Sequence, residues 1–195
     1  MGPTPAFVEH VTQRRAALRA ELAALLPPAA ALVLEIGSAH GHFLVRYAGE
    51  HPQKFCLGVD LRGERVDRAK RKADRARLAN CHFVRAEARE LIECLPPGVT
   101  FAEIWVLFPD PWPKKRHHKN RLLQPAFFDF LATRTAPGAR LYFRTDHAEY
   151  FHEVAAFLRE LKTWRPDPAA PWLMEHETVF QARAPSYQSL VAVRQ

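Results

Sequence analysis

Short apolar runs alternate with amphipathic stretches along most of the chain, and this alternation predicts strands connected by helices. Five apolar runs predict buried strands, at residues 31–36, 55–60, 81–86, 101–108 and 140–145. Two less regular strand candidates follow, at residues 174–180 and 190–193. Strands that are apolar throughout are buried on both faces. We therefore expect an α/β fold, with a mostly parallel seven-stranded sheet and helices on both faces.

Amphipathic periodicity and capping residues predict the helices between these strands. Thr4 followed by Pro5 is typical of an N-cap and a first helical residue, and a helix is expected from there to Pro27. Further helices are predicted after Gly41, before Leu95, and at residues 64–78, 125–135 and 150–161. Pro137 and Gly138 predict a turn. The chain fits one domain over residues 1–195, with residues 1–30 as an N-terminal helical extension.

The charge balance favours a polyanionic partner. The chain has 28 Lys and Arg against 21 Asp and Glu, a net charge of +7, which supports nucleic-acid binding but equally fits a generic basic enzyme. Its three cysteines are far apart and contain no CxxC pair, which fits a reducing compartment. No signal-peptide layout and no apolar run near ~20 residues is present, so we expect a cytoplasmic protein without a membrane partner.

Acidic residues stand at or just beyond the ends of the predicted strands. They are Glu35, Asp60, Glu87, Asp110 and Asp146. Ligands of parallel sheets bind beyond the carboxyl ends of the strands, so these residues are candidates for a binding site. Any one of them could instead cap a helix or lie in a solvated turn. Acids at successive strand ends favour a ligand site over that alternative.

The turn after the first strand contains Gly37 and Gly41, which permit a tight turn and close approach of a ligand. A dinucleotide site would prefer G-x-G-x-x-G, whose helix N-terminus faces a pyrophosphate. Here Glu35 precedes the turn, which suits a cofactor with a cationic amino-acid tail, such as S-adenosylmethionine. Asp60 is suited to bind both hydroxyls of a ribose, and Glu87 to meet an adenine amino group.

Residues 108–121 carry the most specific chemistry in the chain. They place Asp110 between two prolines, which restrict the backbone on both sides of the carboxylate. A nearly continuous basic run follows at residues 114–121, and we expect it to hold nucleic-acid phosphates. Trp112 could stack on a base or fill the edge of the core. We refer to residues 114–121 as the basic run.

Other polar clusters favour solvated surfaces over metal sites. Neither His40 with His42 nor His117 with His118 has an evident third ligand, so no metal is expected. The helix predicted at residues 64–78 is rich in Arg and Lys with acids between them. We expect a solvated helix with i,i+4 ion pairs there.

Several motifs together resemble the bacterial tRNA (guanine-N7-)-methyltransferases. They are Glu35-Ile36-Gly37, Phe108-Pro109-Asp110-Pro111-Trp112, the basic run, Arg144-Thr145-Asp146 and Thr178-Val179-Phe180-Gln181. The resemblance covers the chain from about residue 32 to the C-terminal region, and the proline-bracketed Asp is its most specific motif. It implies a Rossmann-like class I methyltransferase fold. It also implies methyl transfer from S-adenosylmethionine to N7 of a guanine in the tRNA variable loop.

The resemblance also implies roles for individual residues. Cofactor contacts fall on Glu35, Gly37, Gly41, Asp60, Glu87 and Asp110, and substrate contacts fall on Lys114, Asp146, Thr178, Val179, Phe180 and Gln181. Asp110 is the expected catalytic residue. Asp146 could accept hydrogen bonds from the guanine N1–H and amino group, or cap the helix that follows. Gln181 stands where the family has Glu, and Ala39 where many relatives have Gly.

Alternative functions remain open at this point. The chain could be a methyltransferase for another substrate, which would need the cofactor acids but not the basic run. It could also be a non-catalytic RNA-binding module with a Rossmann-like fold. A dinucleotide oxidoreductase is disfavoured by the missing glycine fingerprint. Monomer and homodimer are equally compatible with the sequence.

Overall fold

The computed structural model describes residues 4–176 and 181–195. Its strands are β1 (Ala31–Ile36), β2 (Phe55–Asp60), β3 (Cys81–Arg85), β4 (Thr100–Leu107), β5 (Thr135–Thr145), β6 (Trp164–Pro166) and β7 (Gln188–Arg194). Its α-helices are α1 (Pro5–Leu25), α2 (His42–Glu50), α3 (Gly63–Arg75), α4 (Ala88–Cys94), α5 (Pro125–Ala132) and α6 (Ala148–Glu160). Short 3₁₀ helices form at Lys115–Asn120 and Gln181–Arg183.

Within the described ranges the seven strands form one sheet, in the order β3-β2-β1-β4-β5-β7-β6. Strands β1 to β5 pair in parallel, and β7 is antiparallel to β5 and β6. The predicted mostly parallel seven-stranded sheet is confirmed. The chain moves outward from β1 through β2 and β3, then returns to β4 on the other side of β1. The carboxyl ends of β1 and β4 therefore border the crevice where open α/β sheets bind ligands.

Helices cover both faces of the sheet, as predicted. Alternate residues of β1 point to opposite faces, and Leu32 and Leu34 belong to one buried cluster while Val33 belongs to another. The first cluster includes residues from α1, α4, α5 and α6. The second includes residues from α2 and α3, among them the fully buried Tyr47. The core is thus two apolar layers separated by the sheet, an arrangement that leaves the strand ends free for loops.

The N-terminal helix begins where the sequence predicts. The Thr4 hydroxyl accepts a hydrogen bond of 3.4 Å from the Phe7 backbone N–H, which satisfies one of the free donors at the start of α1. Leu18 and Leu22 of α1 are buried, whereas Phe7 and Val8 are 59% and 49% exposed. The C-terminal half of α1 is therefore the part that packs against the domain.

The predicted boundaries around β5 are wrong. Thr135 was expected to end a helix, but α5 ends at Ala132 and Thr135 begins β5. The expected turn at Pro137 and Gly138 lies inside this strand, where Gly138 has a φ of +87°. The pairing of β5 with β4 changes register there. An irregularity inside a strand and a turn before a strand share the same Pro-Gly signal.

The strand candidate at residues 174–180 is also wrong over the part that can be compared. Residues 174–176 are not in a strand, and residues 177–180 lie outside the described ranges. The missing strand of the seven is β6, which sequence reasoning did not find. It has three residues and includes Pro166, so it shows no alternation. Trp164 anchors it, donating from Nε1 to the Phe128 carbonyl oxygen at 2.9 Å.

Candidate functional site

The loops after β1, β2, β3 and β4 enclose a cavity of about 700 Å³ at the crevice between β1 and β4. That volume is typical of small-molecule sites. Five of the six residues predicted to bind a cofactor line it, namely Glu35, Gly37, Asp60, Glu87 and Asp110. The parallel sheet brings together acids that are up to 75 positions apart in the sequence, between Glu35 and Asp110.

Glu35 is the most perturbed acid of the cavity. It is 5% exposed, and its Oε2 has no hydrogen-bond partner among the described residues. Burial raises the pKa of its carboxyl to about 8, a backbone hydrogen bond from Leu44 opposes the rise, and the Asp60 charge adds to it. The buried hydroxyl oxygen of Ser38 in the same cavity also has no partner in the described ranges. These two buried oxygens form the polar end of the cavity, where a ligand that donates hydrogen bonds would satisfy them.

Asp60 fastens two loops of the cavity to each other. Its Oδ2 accepts a hydrogen bond of 3.1 Å from the Ala39 backbone N–H, and its Oδ1 accepts one of 2.8 Å from Arg62 N–H. Arg65 Nη1 lies 3.8 Å from Oδ2. Each carboxylate oxygen has a second lone pair beyond these backbone hydrogen bonds. Ala39 has a φ of +46°, so the carboxylate also holds a backbone conformation that alanine rarely adopts.

The two glycines of the turn differ in what they contact. Gly37 has a φ of +77°, and a Cβ placed on it would meet nothing within 4 Å. Gly41 has a φ of +68°, and a Cβ there would lie 2.7 Å from the Phe83 ring and 2.8 Å from Ala69. Gly37 lines the cavity, whereas Gly41 does not. Gly41 instead permits α2 to begin against β3 and α3.

Glu87 has the capping contact that was weighed as its alternative role. Its Oε2 accepts a hydrogen bond of 3.1 Å from the Glu90 N–H, at the start of α4. It is also exposed and lines the cavity. The helix uses one carboxylate oxygen of Glu87, which leaves the other for a ligand, so the two roles are compatible.

Asp110 projects from a strained segment at the cavity mouth. It is exposed, and no hydrogen-bond or ion-pair partner contacts it within the described ranges. Phe108 and Trp112, two residues before and after it, have φ values of +50° and +45°. Such conformations cost roughly 1–3 kcal/mol each for residues with side chains and occur often at functional sites. Trp112 is 36% exposed and lines the cavity, so its ring does not fill the core.

The basic run is divided by burial. Lys114, Lys115, Arg116 and Lys119 are exposed, as expected for residues that contact phosphate. The side chain of Arg121 is fully buried, so the prediction that it holds a phosphate is wrong. Its Nε donates to the Pro111 carbonyl oxygen at 2.8 Å, and its Nη1 donates to Glu153 at 2.6 Å. Lys114 does not line the cavity.

Asp146 lies at the end of β5, beside the segment that carries Asp110. It is exposed, and none of the described residues forms a hydrogen bond or ion pair with its side chain. The helix cap is instead His147, whose Nδ1 accepts from the Tyr150 N–H at 3.2 Å, so the capping role considered for Asp146 is wrong. Asp146 does not line the cavity.

The sequence assigns no individual role to Arg144, although in the structure it contacts several residues near the carboxyl end of β5. Its guanidinium lies between the rings of Trp172 and Tyr187, 4.1 Å and 4.6 Å from their centroids. It donates to both Glu175 carboxylate oxygens at 2.8 Å and to Gln181 Oε1 at 3.1 Å. The hydrogen bond from Arg144 lowers the pKa of Glu175.

The side chain of Gln181 is therefore hydrogen-bonded within the protein. Its Oε1 accepts from Arg144, and its Nε2 donates to the Tyr187 hydroxyl at 3.0 Å. The other predicted residues of this motif, Thr178, Val179 and Phe180, lie outside the described residues. Their expected substrate contacts stay predictions.

Neither a metal site nor a membrane span is visible in the described ranges. No group of three or more His, Cys, Asp and Glu side chains there is arranged to hold a metal ion. No described helix is both long enough and apolar enough to cross a bilayer.

Known proteins are similar to this chain in sequence and in fold. A family model described as "Putative methyltransferase" matches residues 29–187. The tRNA (guanine-N(7)-)-methyltransferase of Halorhodospira halophila is 42% identical over 130 residues, which cover 67% of this chain and 56% of that protein. The enzyme of the same name from Chromohalobacter salexigens is 33% identical over 172 residues, covering 85% of this chain and 70% of that protein. The match thus spans little more than half of the Halorhodospira protein.

A solved structure supports the fold independently. The aminoglycoside resistance methyltransferase NpmB1 superposes with a TM-score of 0.60 at 16% identity, covering 91% of this chain and 93% of that chain. The predicted Rossmann-like methyltransferase fold is confirmed by this likeness, which at such low identity shows the fold alone.

Proposed function

Because this chain belongs to the bacterial tRNA (guanine-N(7)-)-methyltransferase family, we propose that it transfers a methyl group from S-adenosylmethionine to N7 of a guanine in the tRNA variable loop. One observation carries the proposal. The carboxylate of Asp110 stands without a partner among the described residues, between an acid-lined cavity and the exposed part of the basic run. A methyl donor on one side and an RNA base on the other would meet at this carboxylate. The substrate in turn implies a cytoplasmic location.

The polar end of the cavity fits the proposed methyl donor. Glu35 Oε2 and Ser38 Oγ are buried acceptors that lack donors, and an amino-acid ammonium supplies them. A cation next to Glu35 also offsets the cost of burying its charged form. In the same cavity, Asp60 keeps lone pairs for ribose hydroxyls, and Glu87 lines the wall as a candidate contact for the adenine. S-adenosylmethionine, when bound, supplies a methyl group activated by a sulfonium.

The reaction requires the protein to align the reactants and to stabilise charge, but it requires no general base. Guanine N7 has a free lone pair and no proton to lose, so no residue has to accept a proton. Asp110 would hold the guanine in line for displacement, a contribution that reaches ~7–11 kcal/mol in favourable systems. Its negative charge would stabilise the positive charge that develops on the purine ring. The strained backbone on both sides fixes where this carboxylate points.

Substrate contacts are proposed for residues around the cavity mouth. Asp146 is exposed beside the Asp110 segment and can accept from the guanine N1–H and amino group, an edge that distinguishes guanine from the other bases. Lys114 and the exposed neighbours in the basic run would bind tRNA phosphates. The segment 178–181 is proposed to contact the substrate as well, on the strength of the family motif alone.

The test is product analysis. The full chain is incubated with labelled S-adenosylmethionine and an unmodified tRNA transcript, and the nucleosides are separated by mass spectrometry. We expect 7-methylguanosine, and its absence with a folded, cofactor-binding protein would refute the proposed activity. Asp110→Ala should lower the turnover number at least ~100-fold, as removal of an electrostatic group at a reacting centre does. Glu160→Ala, which removes an exposed acid at the end of α6, is the matched control and should leave turnover unchanged.

A binding measurement separates the two alternative functions. A non-catalytic RNA-binding module would bind tRNA but give no heat with S-adenosylmethionine in calorimetry. A methyltransferase for another substrate would bind the cofactor but not the tRNA. Tight binding of both with formation of 7-methylguanosine excludes both alternatives.

A further inference from the structure

A second group of cations lies on the other side of the cavity from the basic run. Arg65, Arg68 and Lys72 follow one face of α3, at spacings of three and four residues. Lys72 Nζ donates to the His40 backbone carbonyl oxygen at 2.8 Å, which joins this face to the glycine turn. We call His40, Arg65, Arg68 and Lys72 the α3 surface.

The charges of the α3 surface affect the histidines of the neighbouring turn. The pKa of His40 is lowered first by burial and then by the charges of Arg68, Arg65 and Lys72. Burial lowers the pKa of His42 most, and Lys72 comes next, whereas for His176 burial and then Arg46 precede the smaller effect of Lys72. The positive potential therefore extends from α3 along the rim formed by the turn.

The i,i+4 ion pairs expected along this helix do not form. Among the described residues, Arg68 and Lys72 have no carboxylate within ion-pair distance, and Arg65 reaches only Asp60, at 3.8 Å. The acids of α3 do not neutralise this face. Lys70 points elsewhere, with its Nζ 3.6 Å from Glu21 of α1. Like charges gathered on one helix face repel each other, and a bound anion would relieve this repulsion.

The position of the α3 surface identifies the class of anion. His40 and Arg65 line the same cavity as Asp110. Their loops follow β1 and β2, and the basic run follows β4, which lies on the opposite side of β1 in the sheet. The two cationic surfaces therefore stand on opposite sides of the cavity mouth. One extended polyanion whose base enters the cavity would contact both.

We propose that the α3 surface binds the sugar-phosphate backbone of the RNA substrate, as a second contact across the cavity from the basic run. The proposal rests on the proposed function, because it takes RNA as the substrate of this cavity. Arg68 is the central phosphate ligand, since its exposed guanidinium can bind two phosphate oxygens at once. Lys72 adds a second charge while keeping its contact with the turn.

The experiment measures the salt dependence of tRNA binding. Fluorescence anisotropy of a labelled, unmodified tRNA transcript is recorded with the wild type and with Arg68→Ala. The KCl concentration is varied from about 50 to about 300 mM, a range around physiological salt. Loss of one phosphate contact should reduce the slope of log K against log salt by about 0.7–0.9, which weakens binding about five- to eight-fold at ~0.1 M salt. Arg68→Ala with Lys72→Ala should reduce the slope by about twice as much. Lys70→Ala removes the same charge from the same helix and should change the slope little.

Two results would overturn the proposal. The first is an equal loss of tRNA affinity in Arg68→Ala and Lys70→Ala, which would mean a general charge effect. The second is an unchanged tRNA slope with weaker S-adenosylmethionine binding in calorimetry, which would assign Arg68 to the cofactor. Product analysis keeps the proposed function separate. A wild type that binds tRNA with the predicted slope change but forms no 7-methylguanosine would refute the activity and leave the α3 surface standing.

Discussion

Arg121 Nε donates a hydrogen bond of 2.8 Å to the backbone carbonyl oxygen of Pro111, the residue next to Asp110. The guanidinium also pairs with Glu153 at 2.6 Å and lies 5.0 Å from the centroid of the Tyr150 ring. It is thus anchored on α6 while it holds the strained segment that presents the proposed catalytic carboxylate. A residue at the end of a basic run acts here through the backbone, as a positioning residue.

Arg121→Lys should lower the turnover number by about 10- to 100-fold, because a small misplacement of a reacting group costs up to about that factor. Lysine keeps the charge beside Glu153 but lacks the second nitrogen that reaches Pro111. We expect tRNA affinity and its salt slope to stay at wild-type values. Steady-state kinetics and anisotropy measure the two quantities separately.

Lys119→Ala is the matched control for this prediction. Lys119 is exposed in the same run, so its loss should weaken tRNA binding and leave turnover at saturating tRNA unchanged. If Arg121→Lys behaved like Lys119→Ala, Arg121 would be a phosphate ligand that becomes exposed with RNA, and the positioning role would be wrong.

The contrast between Arg121 and Lys119 shows what the sequence could predict and what it could not. The strands at residues 31–36 and 55–60 were predicted to the residue, because a buried parallel strand is apolar throughout. The acids at the strand ends were found for the same reason. Burial of one cation within a run depends on α6 packing against it, a contact with residues about 30 positions away that no local pattern reports.

The other failures have causes that a local sequence pattern does not show. Arg144 resembles any strand-end cation until Trp172, Glu175 and Tyr187 come from the C-terminal region to surround it. The short β6 has too few residues to show a period. The sequence predicts i,i+4 ion pairs along α3, but several of its cations contact residues outside the helix instead.

Gly41→Ala should destabilise the protein more than Gly37→Ala. Both residues have positive φ, so both substitutions carry a backbone cost of about 1 kcal/mol. At Gly41 the added Cβ would also meet Phe83 and Ala69 at less than 3 Å, where overpacking costs about 1–3 kcal/mol more. Urea denaturation of both variants measures the difference. Equal losses would show that the contact with Phe83 relaxes freely.

Gly37→Ala should in turn affect cofactor binding more than stability, since Gly37 faces the cavity with nothing within 4 Å of its Cβ position. A methyl group there occupies space that a ligand needs for close approach to the backbone. Calorimetric titration with S-adenosylmethionine should show weaker binding than in the wild type. Unchanged affinity would place the ligand away from this turn.

Glu35 should make the stability of the free protein fall as pH rises. The pKa of this buried carboxyl is raised to about 8 from the ordinary 4.5, so between these values the native state holds a proton that the unfolded state has lost. The free energy of unfolding should therefore fall by up to about 1.4 kcal/mol per pH unit through that window and level off above it. Glu35→Gln keeps the size of the side chain and removes this titration.

The measurement is urea denaturation of the wild type and Glu35→Gln at about pH 5, 6, 7 and 8. This series covers the range between the pKa values of the unfolded and native states. The difference in unfolding free energy between the two proteins should grow in favour of the glutamine variant as pH rises. Parallel pH profiles would show that Glu35 is ionised in the native state throughout, with its charge solvated or paired.

Arg144→Lys should loosen the C-terminal segment without disturbing the cofactor cavity. The guanidinium ties β5 to Glu175, to Gln181 and, through a hydrogen bond of 2.7 Å, to Ser189, and it stacks between two aromatic rings. Lysine cannot reproduce the planar fork, so most of these bonds are lost. Breaking a buried network of this kind costs about 3–5 kcal/mol when the charge is removed, and we expect less with lysine because the charge is kept.

Hydrogen exchange should locate this effect. Peptides covering residues 167–176 and 181–189 should exchange faster in Arg144→Lys, while those covering β1 and β2 stay protected. Arg140→Lys is the control on the same strand, because the Arg140 side chain is 44% exposed and its ion pair with Asp167 is long, at 3.9 Å. Because Gln181 is held by Arg144, the variant should also raise the KM for tRNA and leave S-adenosylmethionine affinity unchanged. Unaltered exchange in both peptides would mean that Trp172 and Tyr187 hold the segment by packing alone. The hydrogen bonds of Arg144 would then not restrict its local unfolding.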